Sequence, residues 1–157
     1  MIKMTDVTMK YPTGTVARKD INIEIEKGEF VFVVGTSGSG KTTFIELLLR
    51  ELTPTKGKIE IAGYDYFQIK KKQVAFVRRK IGVVFQDFRL LKDRTVYENV
   101  AFAQRVIETP TKYIKRQVPT VLSMVGLEEK FKPYPNQLSG GEQQRVALAR
   151  AIVNKPD

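Results

Sequence analysis

The stretch that most constrains this chain is Gly35-Thr36-Ser37-Gly38-Ser39-Gly40-Lys41-Thr42, set between an apolar run and a segment of helical spacing. It satisfies the G-x-x-x-x-G-K-[ST] pattern, which carries weight in the context of strand, loop and helix. Phe30 to Val34 is apolar without alternation, which predicts a strand covered on both faces inside a parallel sheet. Phe44, Leu47 and Leu48 then recur at helical spacing. The glycines let the backbone curl so that successive N–H groups point inward, and the helix start adds its positive end. Lys41 supplies a point charge for the β and γ phosphates of a nucleotide, and the Thr42 hydroxyl can face Mg²⁺. A plain turn before an ordinary helix would need neither side chain.

The segments around this loop read as an α/β chain. Ile21, Ile23 and Ile25 alternate with polar residues, as in a half-buried strand, and Lys27-Gly28-Glu29 supplies a turn. Ile59 and Ile61 form a further short strand, and Ile81 to Phe85 is a second apolar run, ending at Gln86. From there the character becomes helical. Thr95 with Glu98 fits a capping box for a helix carrying Val96, Val100, Ala103 and Ile107, stopped by Pro110. Another helix is expected from Thr111 to Val125, ended by Gly126 and kinked or split at Pro119. The expected division is a nucleotide-binding core over 1–86, a helical insertion over 87–137 and a last helix over 138–157.

That last helix carries a second constellation, Leu138-Ser139-Gly140-Gly141-Glu142-Gln143. Ser139 and Glu142 form an S-x-x-E capping box, and Val146, Ala149 and Ile152 continue at helical spacing. Glycines at 140 and 141 leave the first N–H groups uncovered by side chains, so an anion could sit beside the Ser139 hydroxyl. A plain helix cap is the alternative.

The pair GTSGSGKT and LSGGEQ resembles the Walker A and signature motifs of the ABC ATPases, and the resemblance covers the whole chain. It implies the nucleotide-binding domain of a P-loop NTPase, with antiparallel strands at the amino end and a helical insertion. It implies ATP and Mg²⁺ as cofactors, with Lys41 and Gln86 as the catalytic candidates and Thr42 and Gln86 as the metal candidates. Gln86, ending VVFQ, is similar to the Q-loop glutamine that touches Mg²⁺ and the attacking water, and Tyr11 to the aromatic that stacks on adenine. Val16 and Thr43 join the candidate cofactor-binding residues, as do Ser139, Gly140, Gly141, Glu142 and Gln143 from a second copy in a head-to-tail homodimer. Val83 to Phe102 is similar to the Q-loop region of the FtsE type, cell-division ATPases that partner an FtsX-like transmembrane protein. A lipoprotein-release or macrolide-export subunit, a nucleotide-gated module without turnover, and a soluble type acting on ribosomes or DNA stay open.

Composition limits the chemistry. With no cysteine and no histidine, catalysis would rest on carboxylates, amides and a bound cation. A net charge of +10 invites a polyanion, and the runs Lys70-Lys71-Lys72 and Arg78-Arg79-Lys80 read as a solvated helix face or as a surface held against anionic lipid. No nucleic-acid-binding signature accompanies them, so no nucleic-acid partner is expected. With no long apolar run and no leader, the expected location is the cytoplasmic face of the plasma membrane, peripherally held. The chain ends at Asn154-Lys155-Pro156-Asp157, where the resemblance implies a Walker B strand and catalytic glutamate to come. The 157 residues are therefore expected to be inactive alone, as part of an ATPase active at full length.

Overall fold

The amino-terminal strands are arranged by their isoleucines and methionines. In the computed structural model, which describes residues 1–11, 16–66 and 68–156, with 16–19 as backbone only, two compact units emerge, Met1–Arg78 and Arg79–Pro156. In the first, β1 (Ile2–Lys10) lies between β2 (Val16–Ile25) and β3 (Lys56–Ile61), all antiparallel, and β4 (Tyr64–Asp65) pairs with β3. Met4 stands opposite Ile23 on one side and Ile59 on the other, so apolar side chains align across the sheet. Between Met4 and Val7 the register shifts, and Asp6 sits in left-handed backbone at φ 48°. The extra residue turns Val7 inward where strict alternation would have put Asp6.

Helix α1 (Lys41–Leu48) buries Phe44, Leu47 and Leu48. Its carboxyl end is closed by side chains from far along the chain. Arg78, the last residue of α2 (Lys71–Arg78), donates to the Leu49 carbonyl at 2.7 Å and the Arg50 carbonyl at 3.3 Å. The Tyr66 hydroxyl donates to the Leu48 carbonyl, and burial pushes its pKa up to about 12. In α2 only Val77 is fully buried, so Lys71 and Lys72 lie on an exposed face.

The second unit is a packed helical body. Its core joins Val96, Val100 and Ala101 of α3 (Val96–Arg105), Ile114, Val118 and Leu122 of α4 (Thr111–Met124), and Val146 and Ala149 of α5 (Gly140–Ile152). Apart from Ala101 beside Val100, these residues recur at three- and four-residue spacing within each helix, which is one face of it. The Thr95–Glu98 capping box forms as expected. Pro119 does not split α4: the buried Val118, Val121 and Leu122 around it hold the helix across the missing hydrogen bond.

Two expectations need correction. Phe30 to Val34 and Ile81 to Phe85 are not strands, and the first run is not covered on both faces. Phe30, Phe32 and Val34 are 84%, 78% and 84% exposed, and the two phenylalanine rings meet edge to face at 5.0 Å. Residues 81–85 alternate between half-buried and exposed instead. A strand requires a neighbour to receive its N–H and C=O groups, and among the described residues none runs beside either segment. Apolar composition identified the material of a buried strand without supplying the partner.

Candidate functional site

In the first unit, Gly40 is the residue before α1 and takes φ 87°, a left-handed conformation that a side chain would strain. At Gly35 a Cβ would come within 2.4 Å of the Ser39 Oγ, so the loop folds closely on itself there. Lys41 turns back into this loop. Its Nζ donates to the carbonyls of Gly35 at 2.7 Å and Thr36 at 2.9 Å, and to Ser39 Oγ at 3.4 Å. One ammonium thus gathers three loop oxygens, a cationic centre within a ring of backbone. Thr42 is exposed at the start of the helix, while Thr43 is buried and shares a 2.9 Å hydrogen bond with the Tyr11 hydroxyl. Tyr11 is thereby tied to the first turn of the helix that follows the glycine-rich loop. The side chain of Val16 lies outside the described residues.

In the second unit the start of α5 is closed by its own residues. Ser139 Oγ accepts from the Glu142 N–H at 3.3 Å, and the Glu142 carboxylate accepts from the Ser139 N–H at 2.9 Å and hydroxyl at 2.8 Å. Lys130 donates to the same carboxylate at 2.5 Å. These bonds, that from Lys130 first, hold the Glu142 pKa down to about 2. Gly140 has open space where a Cβ would stand, and at Gly141 a Cβ would meet only the Arg145 guanidinium at 3.9 Å, so the two glycines leave this helix start uncrowded. The Gln143 side chain donates to the Leu138 carbonyl at 3.2 Å.

Gln86 also belongs to the second unit, at the start of an exposed turn over 86–89. The next residues are shaped by distant side chains. Phe88 and Arg89 both take left-handed backbone, φ 58° and 46°, a conformation costing roughly 1–2 kcal/mol for each such residue. Arg150 of α5 donates to both of their carbonyls at 2.6 Å. Two parallel charge-assisted bonds of that length offset much of the strain. A few residues on, Asn99 of α3 accepts from the Leu91 N–H at 2.8 Å and donates to the carbonyls of Leu91, Arg94 and Thr95. A cavity of about 320 Å³ opens beside this segment, lined by Leu91, Asp93, Arg94, Glu98, Phe102 and Arg105.

Sequence reasoning located the two glycine-rich motifs but missed Lys130, Asn99 and Arg150. Their partners lie 12, 8 and 61 to 62 residues away, so local spacing carried no signal for them.

The two motifs share one chain, and comparison with known proteins defines their class. The chain belongs to the ABC transporter family, whose model matches residues 18–157. Within that family it is similar to proteins named Cell division ATP-binding protein FtsE. The Bacillus subtilis protein is 55% identical over the whole chain, which spans 69% of that relative, and the Streptococcus pneumoniae protein is 51% identical over 99% of it, spanning 68%. Among solved structures it matches the dimeric, post-hydrolysis state of the ATP-binding cassette MJ0796 bound to ADP and Pi. The TM-score is 0.87 at 36% identity, with 99% of this chain and 71% of that one covered.

Proposed function

We propose that this chain is the ATP-binding and ATP-hydrolysing subunit of an FtsEX-like complex in bacterial cell division, coupling ATP-driven dimerisation to a membrane partner. The observation that carries this reading is the coexistence of a cation-centred phosphate loop with a helix start capped by Ser139 and Glu142 and left uncrowded at Gly140 and Gly141, in a chain about half identical to FtsE proteins. Two copies meet head to tail. Each nucleotide is held by Gly35 to Thr43 of one copy, with Tyr11 and Val16 on its base side, and by Ser139 to Gln143 of the other. Residues 1–86 then act as the nucleotide-binding core, 87–137 as the helical insertion and 138–157 as the signature helix.

The loop donors suit a triphosphate. Lys41 now satisfies three oxygens of its own loop, and phosphate oxygens, as stronger anionic acceptors, would draw it from them. Thr42 and Gln86 offer oxygen ligands of the hard kind that Mg²⁺ takes alongside water and phosphate. When bound, Mg²⁺ supplies charge neutralisation on the β and γ phosphates. Gln86 positions water, and Lys41 stabilises charge on the transferring phosphoryl group.

The partner side rests on the segment after Gln86. Asp87 to Leu91 and the adjoining cavity offer a shaped surface with an apolar floor and both signs of charge, suited to a coupling segment of an FtsX-like transmembrane protein. No helix of the described residues is long and apolar enough to cross a membrane. A peripheral position at the cytoplasmic face of the plasma membrane, helped by the exposed lysines of α2, follows from that partnership.

Full-length Lys41→Ala is expected to lose ATP affinity on the order of a hundredfold by equilibrium titration, with its fold retained. Equal affinity of parent and variant would falsify the assignment. Crosslinking in cells from a photoreactive residue at Phe88 is expected to capture an FtsX-like protein. Capture of a lipoprotein-export permease would overturn the cell-division reading and keep the ABC one.

A further inference from the structure

We infer that Lys130 is a positioning residue for the signature helix, neutralising Glu142 so that the Ser139 hydroxyl and the Gly140 and Gly141 amides can receive phosphate from a second copy. The inference rests on the ATP-sandwich reading above and assigns a role to a residue outside both motifs.

The capping box contains a conflict. Glu142 is needed at the helix start, where its carboxylate accepts from the Ser139 N–H and hydroxyl at 2.9 Å and 2.8 Å. It therefore holds a full negative charge against the hydroxyl that must donate to an incoming polyanion. A phosphate accepting from the same hydroxyl would stand roughly 5 Å from that carboxylate, where two like charges near a protein surface repel strongly enough to cost about tenfold in affinity or more. The Glu142 side chain is only 17% exposed, so solvent screens this charge incompletely.

Lys130 resolves the conflict from outside the helix. Its ammonium meets Oε1 of Glu142 at 2.5 Å, leaving Oε2 for the two Ser139 donors. The pair brings the local charge to zero without disturbing the cap. It also weakens the hold of the carboxylate on the Ser139 proton, because a carboxylate already paired with a cation is a poorer acceptor. The lysine is brought there by its turn: the Lys130 N–H donates to the Leu127 carbonyl at 3.0 Å, and Leu127 is buried in the helical core. With the Lys130 side chain about half exposed, the pair itself contributes only modestly to stability. Its effect should therefore be read in anion binding.

The test is a charge-specific cycle in full-length protein, with a non-hydrolysable ATP analogue driving dimerisation and sedimentation reporting it. Lys130→Met is expected to weaken dimerisation about tenfold while ATP binding to the monomer is unchanged. Lys130→Arg should behave like the parent. Lys130→Met combined with Glu142→Gln should return to within about threefold of the parent, because the amide can still cap the helix and carries no charge to neutralise. Parent-like dimerisation of Lys130→Met, or a double variant as weak as the single one, would overturn the proposal. Ser139→Arg serves as the control on the underlying reading. If it too dimerises normally, the helix start is only a cap and the sandwich itself is wrong. If it fails to dimerise while Lys130→Met does not, the role of Lys130 alone is lost.

Discussion

The two units of this protein hold their glycine-rich motifs in opposite ways. In the first, the loop follows an apolar run that faces solvent, and the loop oxygens are gathered by the very lysine that would bind phosphate. In the second, the helix start is closed by Ser139 and Glu142 together with Lys130, and the helix behind it is fixed in a continuous core. The first motif is thus held by one lysine side chain. The second is held by a reciprocal cap and the core behind it.

The largest effect expected from this contrast is on stability. Leu122→Ala, in the helical core, should cost about 2–5 kcal/mol by denaturant unfolding, because it leaves a cavity among well-packed neighbours. Phe32→Ala in the 157-residue chain removes more carbon yet should stay within roughly 0.5 kcal/mol, since that ring is already in water. The same substitution should lower the binding of a hydrophobic dye and the tendency to form oligomers, both of which an exposed apolar run favours. A large loss of stability in Phe32→Ala would erase the distinction between the units.

A smaller effect is expected at the start of α3. Thr95→Ala removes the acceptor for the Glu98 N–H and should cost about 1 kcal/mol by the same measurement. Thr95→Ser should recover most of it.

The smallest effect is a pH dependence confined to the start of α5. The Glu142 pKa is lowered from its ordinary 4.5 to about 2, so its contribution is fully present above pH 4.5 and fades as pH falls toward 2. Followed by NMR, Glu142 should titrate near the lower value, and amide exchange at 140–143 should quicken across that window. Lys130→Met should move the titration upward, since Lys130 is the largest cause of the depression. Titration at the ordinary value would show that the cap is not closed in solution.

What the sequence made legible follows the range of the interactions. Both capping boxes were readable because donor and acceptor lie three residues apart, and so were the faces of α3 and α5. The alternation of Ile21, Ile23 and Ile25 identified β2 because one face of that strand is half-buried. Phe30 to Val34 failed for the opposite reason: burial belongs to a pair of surfaces, and composition describes one. The turn of α2 buries Val77 and leaves Lys71 and Lys72 outside, as both readings of the basic run require, while Arg78 turns to the carbonyls of Leu49 and Arg50, which the run alone did not show. Asn99 and Arg150 read as ordinary helix residues, and only the tertiary fold makes them struts for backbone carbonyls elsewhere.

The grip of Arg150 on Phe88 and Arg89 also bears on the order of events during synthesis. Two consecutive left-handed residues are not a shape the local chain prefers, and the side chain that stabilises them is translated about sixty residues later. As the ribosome proceeds, the turn after Gln86 stays without its brace until α5 has emerged and docked. The shape of this turn thereby reports whether the carboxyl-terminal helix, some sixty residues downstream, is already in place.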